Sequence, residues 1–189
     1  MASVIINDLE ARVAASGGSI CVAYVYFRYS DAAGLTVRSV LEILVKQTVE
    51  RHPDCAVLAE QVYARHLKER TQPTEAELLQ LLHRFTEVNK VTFYVLDALD
   101  EAPERLQIAL VQKLATVNAR LFITSRPLKA VETRFSDVCS FPIIAQEGDL
   151  DLHIAQEISR SRDLQGLLEV DPCFRDEVIS SVKKNCNGM

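Results

Sequence analysis

The chain has little basic charge. It carries 21 lysines and arginines against 26 acids, a net charge of -5, and a pI of about 5.4. That balance argues against nucleic-acid binding, which normally rests on a basic face. No apolar run of about 18 residues occurs, so nothing predicts a membrane-spanning helix. The opening MASVIINDLEAR has early acids and lacks the charged-then-apolar pattern of a secretory signal. There is no internal repeat, no low-complexity tract and no Pro/Ser-rich linker. The five cysteines (Cys21, Cys55, Cys139, Cys173, Cys186) include no C-x-x-C. An odd, scattered set is neither a disulfide framework nor a zinc site, and it points to a reducing, cytoplasmic setting. Cys21 and Cys139 lie in apolar runs and are expected in the core. His52, His66, His83 and His153 share no metal-ligand spacing, and each is expected at a surface or half-buried helix position.

Ordinary globular usage is what is present: 48% apolar and 25% charged residues. A chain this long buries roughly 70% of its unfolded surface. The apolar periodicity predicts a helix over 2–15, with Ile5, Ile6, Leu9 and Val13 on one face and Ser16-Gly17-Gly18 as its stop. ICVAYVYFRY, 20–29, reads as a strand with Cys21, Ala23, Val25 and Phe27 on one face. A loop over 30–34 follows, then three helices. The first spans 36–51. The second spans 55–70, with Val57, Leu58, Val62 and Leu67 as its apolar residues. The third opens on the capping box Thr74-x-x-Glu77 and turns Leu78, Leu81, Leu82 and Phe85 inward. After a strand at 91–97 come a helix from about Pro103 to Val117 and a short strand, RLFITS, at 120–125. A brief helix over 128–135, a strand over 138–144 and helices over 150–160, 163–170 and 174–184 complete the pattern. Strands alternating with helices give a mostly parallel sheet with helices on both faces.

The stretch VTFYVLDALDEAP organises the chain. Its apolar run reads as a strand buried on both faces, and it delivers Asp97, Asp100 and Glu101 at its carboxyl end. Ligands of open α/β sheets bind at such ends. Acids so close together suit a cation, and Mg²⁺ held by one or two carboxylates plus phosphate oxygens meets that need. The plainer alternative is a strand followed by an acidic helix start. The neighbouring strand end gives Thr124, Ser125 and Arg126. Arg126 suits a terminal phosphate, or else a salt bridge to Asp97 or Glu101 that ties two strand ends together. A phosphoacceptor reading of Asp97 lacks an acidic pair after an early strand, and a DxD phosphatase lacks the second acid.

FYVLDALDE followed by ARLFITSRP resembles the second and third motifs of the NACHT group of STAND-class P-loop NTPases. The likeness is closest to the nephrocystin-like NACHT domains of fungal repeat proteins, and it is expected to run over the whole chain. The resemblance implies an α/β, P-loop NTPase-like, three-layer αβα fold over residues 1–160, with 161–189 starting a following helical segment. It implies Asp97 as the Mg²⁺-associated acid, Ala98 as the small position, Asp100 and Glu101 as the further catalytic acids, and Arg126 as the sensor arginine. Thr124 and Ser125 would line the nucleotide. The implied cofactors are Mg²⁺ and ATP or GTP, and the implied role is a signalling switch.

One motif of that family is missing. The sequence contains no G-x-x-x-x-G-K-[ST] and no Gly-Lys dipeptide. Backbone N–H groups of such a loop and its lysine supply most of the grip on phosphate. The resemblance therefore implies a truncated chain without the first (Walker A) strand, which binds nucleotide weakly or not at all and does not turn it over. The neighbours of that strand are expected to keep unpaired backbone groups. A non-catalytic alternative is an interaction or decoy module that associates with full-length NACHT proteins through the helices at 36–88.

Overall fold

The computed structural model describes residues 2–127, 139–143, 147–161, 165–166 and 173–186. The chain divides into two compact units, Met1–Val138 and Cys139–Met189.

The first unit is α/β. Helix α1 (Ala2–Ala15) leads through a glycine turn to β1 (Ile20–Tyr26). A 3-10 helix over Tyr29–Gly34 takes the place of the expected irregular loop. Then come α2 (Val37–Arg51), α3 (Pro53–Glu69), α4 (Glu75–Val88) and β2 (Val91–Asp97). A short 3-10 turn (Leu99–Glu101) precedes α5 (Glu104–Leu114) and β3 (Arg120–Ile123). The three strands form one parallel sheet in the order β1-β2-β3.

Both faces of the sheet are covered, as its continuous apolar strands require. On one face Ala2, Ile6 and Leu9 of α1 pack with Val22 and Val95. On the other, Leu41 and Leu44 of α2, Leu82 and Phe85 of α4 and Leu110 of α5 close over Ala23, Tyr94 and Leu96. Each of these large side chains contributes about 1.5–3 kcal/mol of burial. This is the layering of an αβα fold.

Local chemistry explains the element ends. Thr36 and Ser39 make a reciprocal capping box at the start of α2, and Thr74 and Glu77 make another at the start of α4. Pro53 occupies the first turn of α3, where no N–H is needed. The outer edge of β1 is closed by α2. The Tyr24 N–H donates to Gln47 Oε1 (3.0 Å), Gln47 Nε2 donates to the Tyr24 carbonyl (2.8 Å), and Arg51 reaches the Val22 carbonyl (3.3 Å).

Several expectations are corrected. α3 starts at Pro53 rather than 55 and buries Cys55 and His66, while Val57 and Leu67 among its apolar residues are exposed. His52, at the α2–α3 junction, and His66, between Thr71 and Glu77, are buried rather than superficial. Cys21 is in the core, where burial pushes its thiol up to about 11, but Cys139 is exposed. Of the strand expected over 138–144, residues 139–143 form no ladder. Pro142 has no N–H to donate, and Phe141 and Ile143 face solvent. The helix expected over 128–135 lies outside the described residues, as does 163–170 except for residues 165–166, which are helical.

The second unit contains α6 (Glu147–Arg160) and α7 (Cys173–Cys186), which pack on each other. Ile154 is buried there. Among the described residues no helix is long and apolar enough to cross a membrane.

Candidate functional site at the strand tips

The register sets β2 beside β3 so that Leu96 pairs with Ile123. The next residues along, Asp97 and Thr124, are therefore neighbours. Thr124 clasps the two tips through three groups. Its N–H donates to the Leu96 carbonyl (2.9 Å), and its carbonyl accepts from the Leu99 N–H (3.0 Å). Its hydroxyl accepts from the Ala98 N–H (2.9 Å) and donates to Asp97 Oδ1. The sequence suggested Thr124 as a nucleotide contact; in the structure its hydrogen bonds hold the two tips together.

Ala98 makes this geometry possible. It lies in the left-handed region, φ 57° and ψ 46°, and turns the chain from β2 into the 3-10 helix. That turn carries Asp100 round to face the β3 tip. The Arg126 N–H donates to Asp100 Oδ1 (3.2 Å), and Arg126 Nε lies 3.5 Å from Asp100 Oδ2. The salt bridge that sequence reasoning allowed to Asp97 or Glu101 is made to Asp100 instead. Arg126 is 83% exposed against 20% for Asp100, so solvent screens the pair and it contributes little stability.

Glu101 points elsewhere. Its Oε2 accepts from the Tyr29 N–H (2.9 Å), linking the 3-10 turn after β2 to the one after β1. The β1 tip is tied in by Phe27, whose N–H donates to the Asp97 carbonyl (2.9 Å). Ser125 is exposed beside Thr124. Tyr26, the register partner of Asp97, has its phenol pushed up by desolvation first, then by Tyr24, Asp97 and Glu10.

Sequence reasoning passed over Gln107. It is buried in α5, and its Nε2 donates to the Ala102 carbonyl at 2.6 Å, with Asp100's carbonyl 3.4 Å away. An amide amid the apolar stripe of Leu106 and Leu110 was the available signal. Gln107 supports the 3-10 turn that presents Asp100.

The arrangement therefore brings Asp97, Asp100, Thr124 and Arg126 together at one edge and holds Glu101 against the adjoining turn. Among the described residues no group of three or more acids, histidines or cysteines could hold a metal ion by itself. The donor set suits an ion held by a single protein carboxylate, with other ligands supplied by water and phosphate. It does not suit an all-protein cage.

No curated protein and no solved structure matches the chain. A family model described as Nephrocystin 3, N-terminal, matches residues 1–126. That span ends at Arg126, short of the whole-chain likeness expected from the motifs, and it takes in the three strands found among the described residues and every residue of the strand-tip cluster. With two thirds of its length covered by that match, the chain belongs to the nephrocystin 3 N-terminal family.

Proposed function

We propose that the strand tips are the metal- and phosphate-facing edge of a NACHT-type nucleoside triphosphate switch with a P-loop NTPase-like fold. The observation that carries this reading is the Thr124 clasp, which sets the Asp97 carboxylate beside the tip that bears Arg126. An acid and a guanidinium at adjoining tips of a parallel sheet face the two charges of a Mg²⁺–phosphate pair. Bound Mg²⁺ would neutralise phosphate oxygens, and Asp97 is the residue that would hold its water shell. Arg126 offers its fork of donors to the terminal phosphate once it leaves Asp100. In a switch that hydrolyses nucleotide, Asp100 or Glu101 would orient the attacking water, and for Glu101 that would require release of the Tyr29 N–H. Thr124 and Ser125 line the phosphate side.

The sequence carries no glycine-rich phosphate loop. By itself this chain therefore binds Mg²⁺–ATP or Mg²⁺–GTP at millimolar strength and releases no phosphate. Residue-resolved NMR titration tests this. Addition of about 10 mM Mg²⁺–nucleotide, a concentration suited to a millimolar Kd, should shift the amides of Asp97, Ala98, Thr124 and Arg126. The Asp97→Asn variant should lose those shifts. Shifts confined to other parts of the chain would remove the strand tips from the reading. Micromolar, Mg²⁺-dependent binding by calorimetry would remove the claim of weak grip.

A further inference from the structure

We propose that the core holds an internal water, bound by the Tyr94 hydroxyl and shared with the Cys21 and Cys55 thiols. The site lies toward the amino ends of β1 and β2, away from the strand tips. Tyr94 is fully buried, and its hydroxyl has no hydrogen-bond partner among the described residues. Thr92, two residues earlier on the same face of β2, is buried with an unpartnered hydroxyl as well. Cys21 is the register partner of Thr92 across the β1–β2 ladder. Cys55 enters from the first turn of α3 and shares a core cluster with Tyr94. Polar side chains from two strands and a helix thus meet inside an apolar core. A hydroxyl buried there forfeits its hydration, and folded proteins rarely leave one bare.

Burial first, then the charges of Cys21 and Cys55, push the Tyr94 phenol upward, so both sulfurs lie near it. The hydroxyl nevertheless hydrogen-bonds neither. Polar groups that are near without direct contact are those that a bridging water joins. The donors and acceptors still open match such a bridge. The Cys21 thiol donates to the Thr48 hydroxyl (3.7 Å), which leaves its sulfur as an acceptor. The Cys55 sulfur accepts from Asn89 Nδ2 (3.3 Å), which leaves its S–H as a donor. The water accepts from the Tyr94 O–H and the Cys55 S–H, and it donates to the Cys21 sulfur and to Thr92 Oγ1. Internal waters typically make about three such bonds. The bridge joins the start of α3 to both strands.

Oxygen-17 relaxation dispersion, which counts waters held inside a protein, tests the site on the full chain. Tyr94→Phe keeps the ring and its packing and removes only the hydroxyl. The variant should hold fewer long-lived waters than the parent. Its folding constant, from urea unfolding, should fall about fivefold, the loss of one net hydrogen bond. An unchanged water count overturns the proposal. A phenylalanine variant as stable as the parent, or more stable, also overturns it, because removing a hydroxyl that bonds nothing relieves the cost of burying it. A high-resolution crystal structure of the parent gives an answer that needs no variant. Density for a water between the Tyr94 hydroxyl and the two sulfurs is expected, and a dry hydroxyl overturns the proposal.

Discussion

At Ala98 a single backbone angle decides whether two strand tips meet. Its φ of 57° is adopted at a cost, because an L-residue's Cβ crowds the following carbonyl there. The cost is accepted because the turn lets Ala98 and Leu99 donate to Thr124 while Asp100 swings toward Arg126. Glycine carries no such penalty. Ala98→Gly should therefore stabilise the fold by about 0.5–1 kcal/mol, a gain trimmed by the greater freedom of the unfolded chain. Ala98→Val, β-branched at positive φ, should cost about 1–3 kcal/mol. Urea unfolding of the parent and the two variants gives the ranking. A glycine variant less stable than the parent would show that the Ala98 methyl contributes more by packing than the backbone loses by strain. The sequence reveals only that position 98 is small. Alanine gives no hint of positive φ, since it fits a helix best of all residues. Asp97, Asp100 and Arg126 were legible because charges at strand ends have few uses. The clasp formed by Thr124 was not, because a threonine hydroxyl declares its partner only once the register is known.

At the scale of elements, the join between α3 and α4 is the best-specified part of the chain. Thr74-x-x-Glu77 announced itself in the sequence, and both halves of the capping box form. What the sequence did not show is that Glu77 serves a second element. Its carboxylate also meets Arg65 and His66, near the end of α3, with His66 Nε2 at 3.2 Å. The Nδ1 of the same ring lies 2.7 Å from the Thr71 hydroxyl. The four apolar residues of α3 do not share one face: at about 100° per residue Val57 and Leu67 point away from Leu58 and Val62, and Cys55 and His66 complete the inward side. The Thr74 backbone N–H and then its hydroxyl, followed by the charges of Arg65 and His66, pull the Glu77 carboxyl down from 4.5 to about 2. The folded state thus holds a carboxylate that the unfolded chain protonates first. The stability from this join is complete above pH 4.5 and is lost as pH falls through 4.5 toward 2. Urea midpoints measured between pH 6 and 3 should fall more steeply for the parent than for Glu77→Gln. Parallel pH profiles would mean that Glu77 titrates alike folded and unfolded, and that the join is neutral in effect.

Across the whole molecule, the sheet's two edges differ. The alternation of strands and helices made a parallel α/β sheet legible, and all three described strands fall where apolar runs predicted them. Strand order is another matter. It depends on crossovers that no local pattern encodes, and the resemblance to a known family supplied the expectation of an unpaired neighbour beside 120–125. The β1 edge is closed by a side-chain amide that imitates a neighbouring strand: Gln47 both donates to and accepts from Tyr24. The outer edge of β3 has no strand partner among the described residues. Its polar groups can be assigned one by one. The Thr124 N–H bonds the Leu96 carbonyl, and in a parallel ladder successive residues direct their backbone groups to opposite sides. Phe122 and Thr124 therefore face β2, while Leu121 and Ile123 face outward. Hydrogen exchange followed by NMR at neutral pH should show this as an alternation along one short strand. The Leu121 and Ile123 amides should exchange roughly a hundredfold faster than those of Phe122 and Thr124, because inward groups open only with the sheet and outward ones are already free. The Tyr24 amide, an outward group on the opposite edge, should be slow because Gln47 covers it, and Gln47→Ala should make it fast. Uniform protection along 120–124 would instead mean that a further segment pairs with β3. Uniform fast exchange would mean that β3 is held too loosely to fix Thr124 beside Asp97, and the strand-tip site would lose its foundation.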